Sequence, residues 1–67
     1  MVVKVIEVIG TSDKSWEDAA KNAVEEASKT VKYVSGVDVV NLTATVKEGK
    51  IKSYKACVKL AFSVKEE

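Results

Sequence analysis

The chain has no histidine and no arginine, a single cysteine at Cys57, and only one Trp, two Tyr and one Phe among its 67 residues. Each absence excludes a class of chemistry. Without histidine there is no zinc-finger spacing and no side chain whose ordinary pKa suits a base near neutral pH. One cysteine cannot close an internal disulfide. All 11 basic residues are lysines, so the planar guanidinium fork that best grips phosphates and carboxylates is missing. The 11 basic and 10 acidic residues are spread along the chain and leave a net charge of +1. No basic block and no basic-aromatic alternation points to nucleic acid. No charged leader followed by a long apolar run suggests a signal peptide or membrane span, so cytoplasmic residence without a membrane partner is the expectation.

At this length the chain is expected to form a single domain, 1–67, near the lower limit for independent folding. Such a domain buries about 60% of the surface its unfolded chain exposes. Its core alone supplies roughly 3–5 kcal/mol of net stability. With disulfide and zinc excluded, self-association is the remaining way to hide apolar surface.

What is present is a compact order of elements. Val2 to Ile9 is rich in Val and Ile at both parities, the pattern of a strand covered on both sides. Gly10-Thr11-Ser12 is expected to end it. Ser15 is the favoured helix N-cap, with Ser12 the competing one, and Glu17 and Asp18 suit the positive helix end. From Trp16 the apolar positions Ala19, Ala20, Ala23, Val24, Ala27 and Val31 repeat at helical spacing, a narrow stripe of small residues that permits close approach to a sheet. Lys21, Glu25, Glu26, Lys29 and Lys32 form the solvated side, and Ser35-Gly36 is expected to break the pattern.

Val37–Val46 and Ile51–Val64 read as two further strands, joined by a hairpin turn at Glu48-Gly49-Lys50 with Gly supplying positive φ. In the last strand Tyr54, Ala56, Val58, Leu60, Phe62 and Val64 alternate with Ser53, Lys55, Cys57, Lys59 and Ser63. In the middle one Val40, Leu42, Ala44 and Val46 are set opposite Asn41, Thr43 and Thr45. The fold class is therefore α+β: β-α-β-β, a three-stranded antiparallel sheet curled around one helix. One helix covers one face only. The other, semi-polar face must meet another subunit or a ligand, which argues for a shell of identical copies rather than a free-standing catalyst.

The Val8-Ile9-Gly10-Thr11-Ser12 strand end, the Ser-Trp and Ala-Ala helix opening, and the closing Tyr54-Lys55-Ala56 … Ala61-Phe62 strand resemble the dodecins. These are small β-α-β-β proteins that assemble as hollow dodecamers and, in many members, store flavin. The resemblance spans nearly the whole chain and implies a homododecamer with binding or storage function.

It also implies a site that this chain has altered. Flavin-binding members stack the isoalloxazine ring on a Trp before the second strand, where this chain has Gly36. They use a Gln after the Tyr of the last strand, where this chain has Lys55. Members that hold a flavin phosphate place Arg where Thr43 and Ser63 stand. Loss of an aromatic platform costs about 0.5–1.5 kcal/mol per ring pair beyond buried area. Lys55 would repel its own symmetry mates as well. The expectation is weak or lost binding of FMN or riboflavin, with Gly36, Thr43, Lys55 and Ser63 forming either a plain subunit contact or a remodelled small-molecule pocket. The Trp16 helix opening is more similar to a flavin-free, calcium-associated branch.

Other residues carry paired readings. Trp16 is a staple for the first helical turn, or else a relocated stacking platform. Asp13, Glu17 and Asp18 at the helix start, with Asp38 on the second strand, are capping acids, or calcium ligands multiplied across a symmetry axis. Cys57 is a small interface hydrophobe, or a thiol made reactive by Lys55 and Lys59. No Ser/His/Asp or Cys/His set, phosphate loop or carboxylate pair supports catalysis, so no enzyme is expected.

Overall fold

A computed structural model describes residues 2–64, which leaves Met1 and residues 65–67 outside it. The elements run β1 (Val2–Ser12), α1 (Trp16–Ser28), β2 (Val34–Lys47) and β3 (Lys50–Val64). The sheet is antiparallel throughout in the order β1-β3-β2, so β3 is central and β1 and β2 are its two edges.

The helix start is built from two serines and the acids that follow them. Ser15 caps α1 by accepting the Asp18 N–H at 3.0 Å. Buried Ser12 organises the turn before it: its Oγ accepts the Lys14 N–H at 2.9 Å and donates to Asp18 Oδ2 at 2.7 Å. The two serines thus share the work of a reciprocal capping box, with Ser12 as the relay between the chain turn and the Asp18 carboxylate.

Packing follows the small-residue stripe. Ala19 and Ala23 of α1 meet Ala56, Val58 and Leu60 of β3, all buried, with Ile6, Val8, Ala20, Val24, Ala27 and Val34 around them. Burying Val58 and Leu60 fully contributes about 1.5–3 kcal/mol each. The expected faces of β3 are those observed, and its helix side is the alternation of even-numbered residues.

Three strand-level expectations are corrected. Gly10 does not end the first strand: β1 continues to Ser12, with Gly10 paired to Ala56. A Cβ placed on Gly10 would lie 2.1 Å from the Ala19 carbonyl oxygen and 2.8 Å from Ala23 Cβ. The glycine is there because the helix backbone passes directly over it, not because the chain turns. Ser35-Gly36 likewise lies inside β2, which starts at Val34. The change of direction falls on Tyr33, whose φ of 66° is in the left-handed region, after the helix has closed at Ser28. Third, register shifts at Val34/Gly36, Val39/Asn41 and Thr45/Val46 break the simple alternation of β2, so Val39 and Leu42 share a face while Val40 is the extra bulge residue. No residue-by-residue parity count could have placed those bulges.

The hairpin loop is two residues, Glu48 at φ 54° and Gly49 at φ 77°, between the paired Lys47 and Lys50. Both positive φ values are those of the type I′ turn that matches strand twist. Among the described residues no helix is long and apolar enough to cross a membrane.

Candidate functional site

The open face of the sheet, on the side away from α1, carries the candidate pocket residues. Its rows are set by register: Val3 opposite Ser63, Val5 and Gly36 flanking Ala61, Glu7 and Asp38 flanking Lys59, Ile9 and Asn41 flanking Cys57, and Thr11 and Thr43 flanking Lys55. Val3, Val5 and Ile9 are 55%, 55% and 64% exposed. The second covered side expected for β1 is thus bare within a single chain.

The four pocket residues share this face but do not converge within one chain. Thr43 and Lys55 are direct cross-strand neighbours. Gly36 lies beside Ala61, two positions from Ser63, whose N–H donates to the Tyr33 carbonyl at 3.3 Å. Ala61 lies six positions beyond Lys55 in β3, or about 20 Å along the strand. At the Gly36 end, Val5, Gly36, Val37, Asp38, Lys59 and Ala61 line a shallow hollow of about 310 Å³. A Cβ on Gly36 would meet only Ala61 Cβ, at 3.8 Å. The hollow therefore has an apolar floor and no ring to stack on, and that donor set does not fit a flavin held by aromatic stacking.

The candidate calcium ligands are dispersed. Asp18 is engaged by Ser12 and lies 3.5 Å from Asn22 Nδ2, and Glu17 lies 3.9 Å from Lys21 Nζ one helical turn on. Asp13 is in the exposed β1–α1 turn. Asp38 belongs to the opposite face, across from Lys59. Among the described residues of one chain no three His, Cys, Asp or Glu side chains come together as a metal site.

Trp16 acts as a staple onto its own sheet. Its indole Nε1–H donates to the Thr43 carbonyl at 2.7 Å, and its ring meets Tyr54 edge-on at 4.9 Å and 78°. The first helical turn is thereby fastened to both strands of the β2–β3 hairpin. Sequence spacing signals the aromatic but not the hydrogen bond to a main-chain oxygen 27 residues away.

Of the two readings of Cys57, the reactive thiol is the one its surroundings oppose. Cys57 Sγ donates to Glu7 Oε2 at 3.2 Å, and this bond, helped by partial burial and the Glu7 charge, raises the thiol pKa above its ordinary value. Lys59 pulls the other way and is outweighed. The lysines two residues off were visible in the sequence. Glu7, brought from β1 two register positions along, was not.

Comparison with known proteins agrees with this architecture. The Dodecin family model matches residues 2–65. A dodecin of Thermus thermophilus is 29% identical over 65 residues, covering 97% of this chain and 94% of its own, and a calcium dodecin of Mycobacterium tuberculosis is 37% identical over 65 residues, covering 96% and 90%. The solved dodecin of Streptomyces coelicolor superposes with a TM-score of 0.94 at 29% identity over 98% of this chain and 94% of that one. The crystal structure of the M. tuberculosis calcium dodecin, described as having a novel calcium-binding site, gives 0.84 at 35% identity over 100% and 96%. With its β-α-β-β order, its single helix on a three-stranded antiparallel sheet and this match along its length, the chain belongs to the dodecin family.

Proposed function

We propose that this protein is a non-enzymatic small-ligand binding and storage protein that works in the cytoplasm as a hollow homododecamer, with flavin binding weak or lost. The observation that carries this reading is the bare open face. Val3, Val5 and Ile9 stand exposed there beside the inherited pocket positions, and a monomer rarely leaves so much aliphatic surface to water. The two halves of the pocket, Thr43 with Lys55 and Gly36 with Ser63, are separated along the strand. A ligand touching both chemistries draws them from neighbouring copies, and binding then depends on assembly. Sequestration needs no catalytic set, which suits a sequence with no Ser/His/Asp or Cys/His combination. The balanced, dispersed charge suits neither nucleic acid nor a membrane surface as partner.

Two measurements test the reading. Light scattering is expected to give a particle mass near twelve chains, and a lone folded chain at micromolar concentration overturns it. Fluorescence titration with riboflavin or FMN is expected to show little quenching. Sub-micromolar quenching at pocket stoichiometry overturns the loss of flavin binding while leaving the storage role.

A second reading is a structural or calcium-binding assembly without an organic ligand, supported by the 37% identity to the M. tuberculosis calcium dodecin. Calcium takes six to eight oxygens, so Asp13, Glu17, Asp18 and Asp38 would serve only where copies bring them together. Calcium bound to the native state raises the melting temperature by mass action, and a chelator lowers it. An unchanged melting temperature in both counts against this second reading.

A further inference from the structure

Thr11, Lys55 and Thr43 form one row across all three strands on the open face. The helix holds this row from the other side of the sheet. The Asn22 side-chain amide donates to the Thr11 carbonyl at 2.9 Å, and the Trp16 indole donates to the Thr43 carbonyl at 2.7 Å. Both edge strands are therefore fastened to α1 at the two residues that flank Lys55. Tyr54, which precedes Lys55 in β3, meets the Trp16 ring edge-on. A row pinned at both ends and beside its centre keeps its side chains at fixed spacing, as a binding site on a rigid element requires.

The charge of the row is unbalanced. Of the two β3 lysines on the open face, Lys59 has Glu7 and Asp38 directly across from it on the flanking strands. Lys55 has only the two threonines there, and it makes no ion pair among the described residues. The adjoining rows on that face, Ile9–Cys57–Asn41 on one side and Ser53–Thr45 on the other, hold an amide, a thiol and hydroxyls but no acid. Glu7, the acid of β1, already accepts the Cys57 thiol. The open face is the one that the proposed assembly covers, and covering an ammonium without an anion is costly. The missing negative charge must come from outside the row.

We propose that the Thr11–Lys55–Thr43 row binds the phosphate group of a small solute, with Lys55 Nζ as the counter-charge and the threonine hydroxyls as donors on either side. This rests on the storage assembly of the proposed function and names the ligand class held at one of its two pocket stations. No ring is needed at this station. Strands about 4.8 Å apart put each hydroxyl within reach of an oxyanion seated on Nζ. Donors spread over three strands suit a tetrahedral ion with several acceptor oxygens. A planar carboxylate is matched better by a guanidinium fork, and this chain has no arginine.

Equilibrium dialysis of the intact protein against labelled inorganic phosphate, at fixed ionic strength in chloride, tests it. Uptake is expected to saturate at no more than one phosphate per chain. Lys55→Gln, and separately Thr11→Val with Thr43→Val, are expected to weaken uptake about tenfold or more, as loss of charge-assisted hydrogen bonds does. Lys55→Arg, which keeps the charge, is expected to stay within about threefold. Lys32→Gln removes the same charge outside the row and is expected to leave uptake unchanged. Ribose 5-phosphate in competition separates the two sources of the group: displacement of the label about tenfold more tightly than by inorganic phosphate marks a phosphomonoester as the ligand, and equal or weaker displacement marks the free ion. Light scattering on the same samples gives the particle mass. A particle near twelve chains that takes up no phosphate, or takes it up equally well as Lys55→Gln, overturns the site while the assembly stands. A single-copy mass overturns both.

Discussion

At Gly10 the constraint is backbone against backbone. The nearest atom to an added Cβ is the Ala19 carbonyl oxygen at 2.1 Å, so no side-chain truncation on the helix relieves the clash. Gly10→Ala is expected to cost about 3 kcal/mol or more, the upper end of overpacking. That is comparable to the whole core contribution of so small a domain, so the far-UV circular dichroism melt should show loss of the cooperative transition. The glycine was legible in the sequence as a punctuation mark, but its reason was not, because a Gly before Thr-Ser signals a turn locally and the helix crossing it comes from residues nine positions later. Cys57 shows the same limit with charge. Its raised pKa is a gain for the neutral thiol, so the associated stability is present below the thiol's unfolded pKa and is lost as pH climbs through the raised folded value. Glu7→Gln removes the carboxylate and its charge, leaving only burial to oppose Lys59. Alkylation of Cys57 at mildly alkaline pH should become severalfold faster, and an unchanged rate would show that Glu7 does not govern the thiol.

Among the elements, the helix was read most fully from its residues. Ser15 caps it and Ala19 and Ala23 meet the sheet as their spacing required. The central strand was also legible, since one uninterrupted alternation maps onto one buried face. β2 was not, because its three register shifts depend on what β3 offers opposite. The turn between them holds a correctable strain. Glu48 sits at φ 54°, a conformation that costs most L-residues about 1–2 kcal/mol and that Asn adopts more readily. Glu48→Asn should therefore stabilise the hairpin by about 0.5–1 kcal/mol, seen as a higher urea midpoint with an unchanged slope. Lowered stability would mean that the Glu48 carboxylate, beside Lys47 and Lys50, outweighs its backbone cost.

For the whole molecule, the fold is over-supplied with apolar surface for one chain, and this was the most secure deduction available from length and composition alone. Where the surface would be used required the register, because only the pairing of Thr43 with Lys55 and of Gly36 with Ala61 shows that the pocket positions occupy two separate stations. Gly36 is outside the left-handed region and has Ala61 Cβ at 3.8 Å as its only near neighbour, so a large side chain fits there without backbone strain. Gly36→Trp is expected to fold, to assemble and to bind riboflavin at least tenfold more tightly than the unaltered chain by fluorescence titration. Unchanged affinity would place the obstacle at Lys55 instead. The fastening of Trp16 to the Thr43 carbonyl has an optical consequence. This chain has one indole, and it stands at the root of the hairpin, hydrogen-bonded to one strand and edge-on to Tyr54 of the other. Its emission wavelength is therefore a built-in gauge of how the hairpin is held, readable during dilution without any label attached.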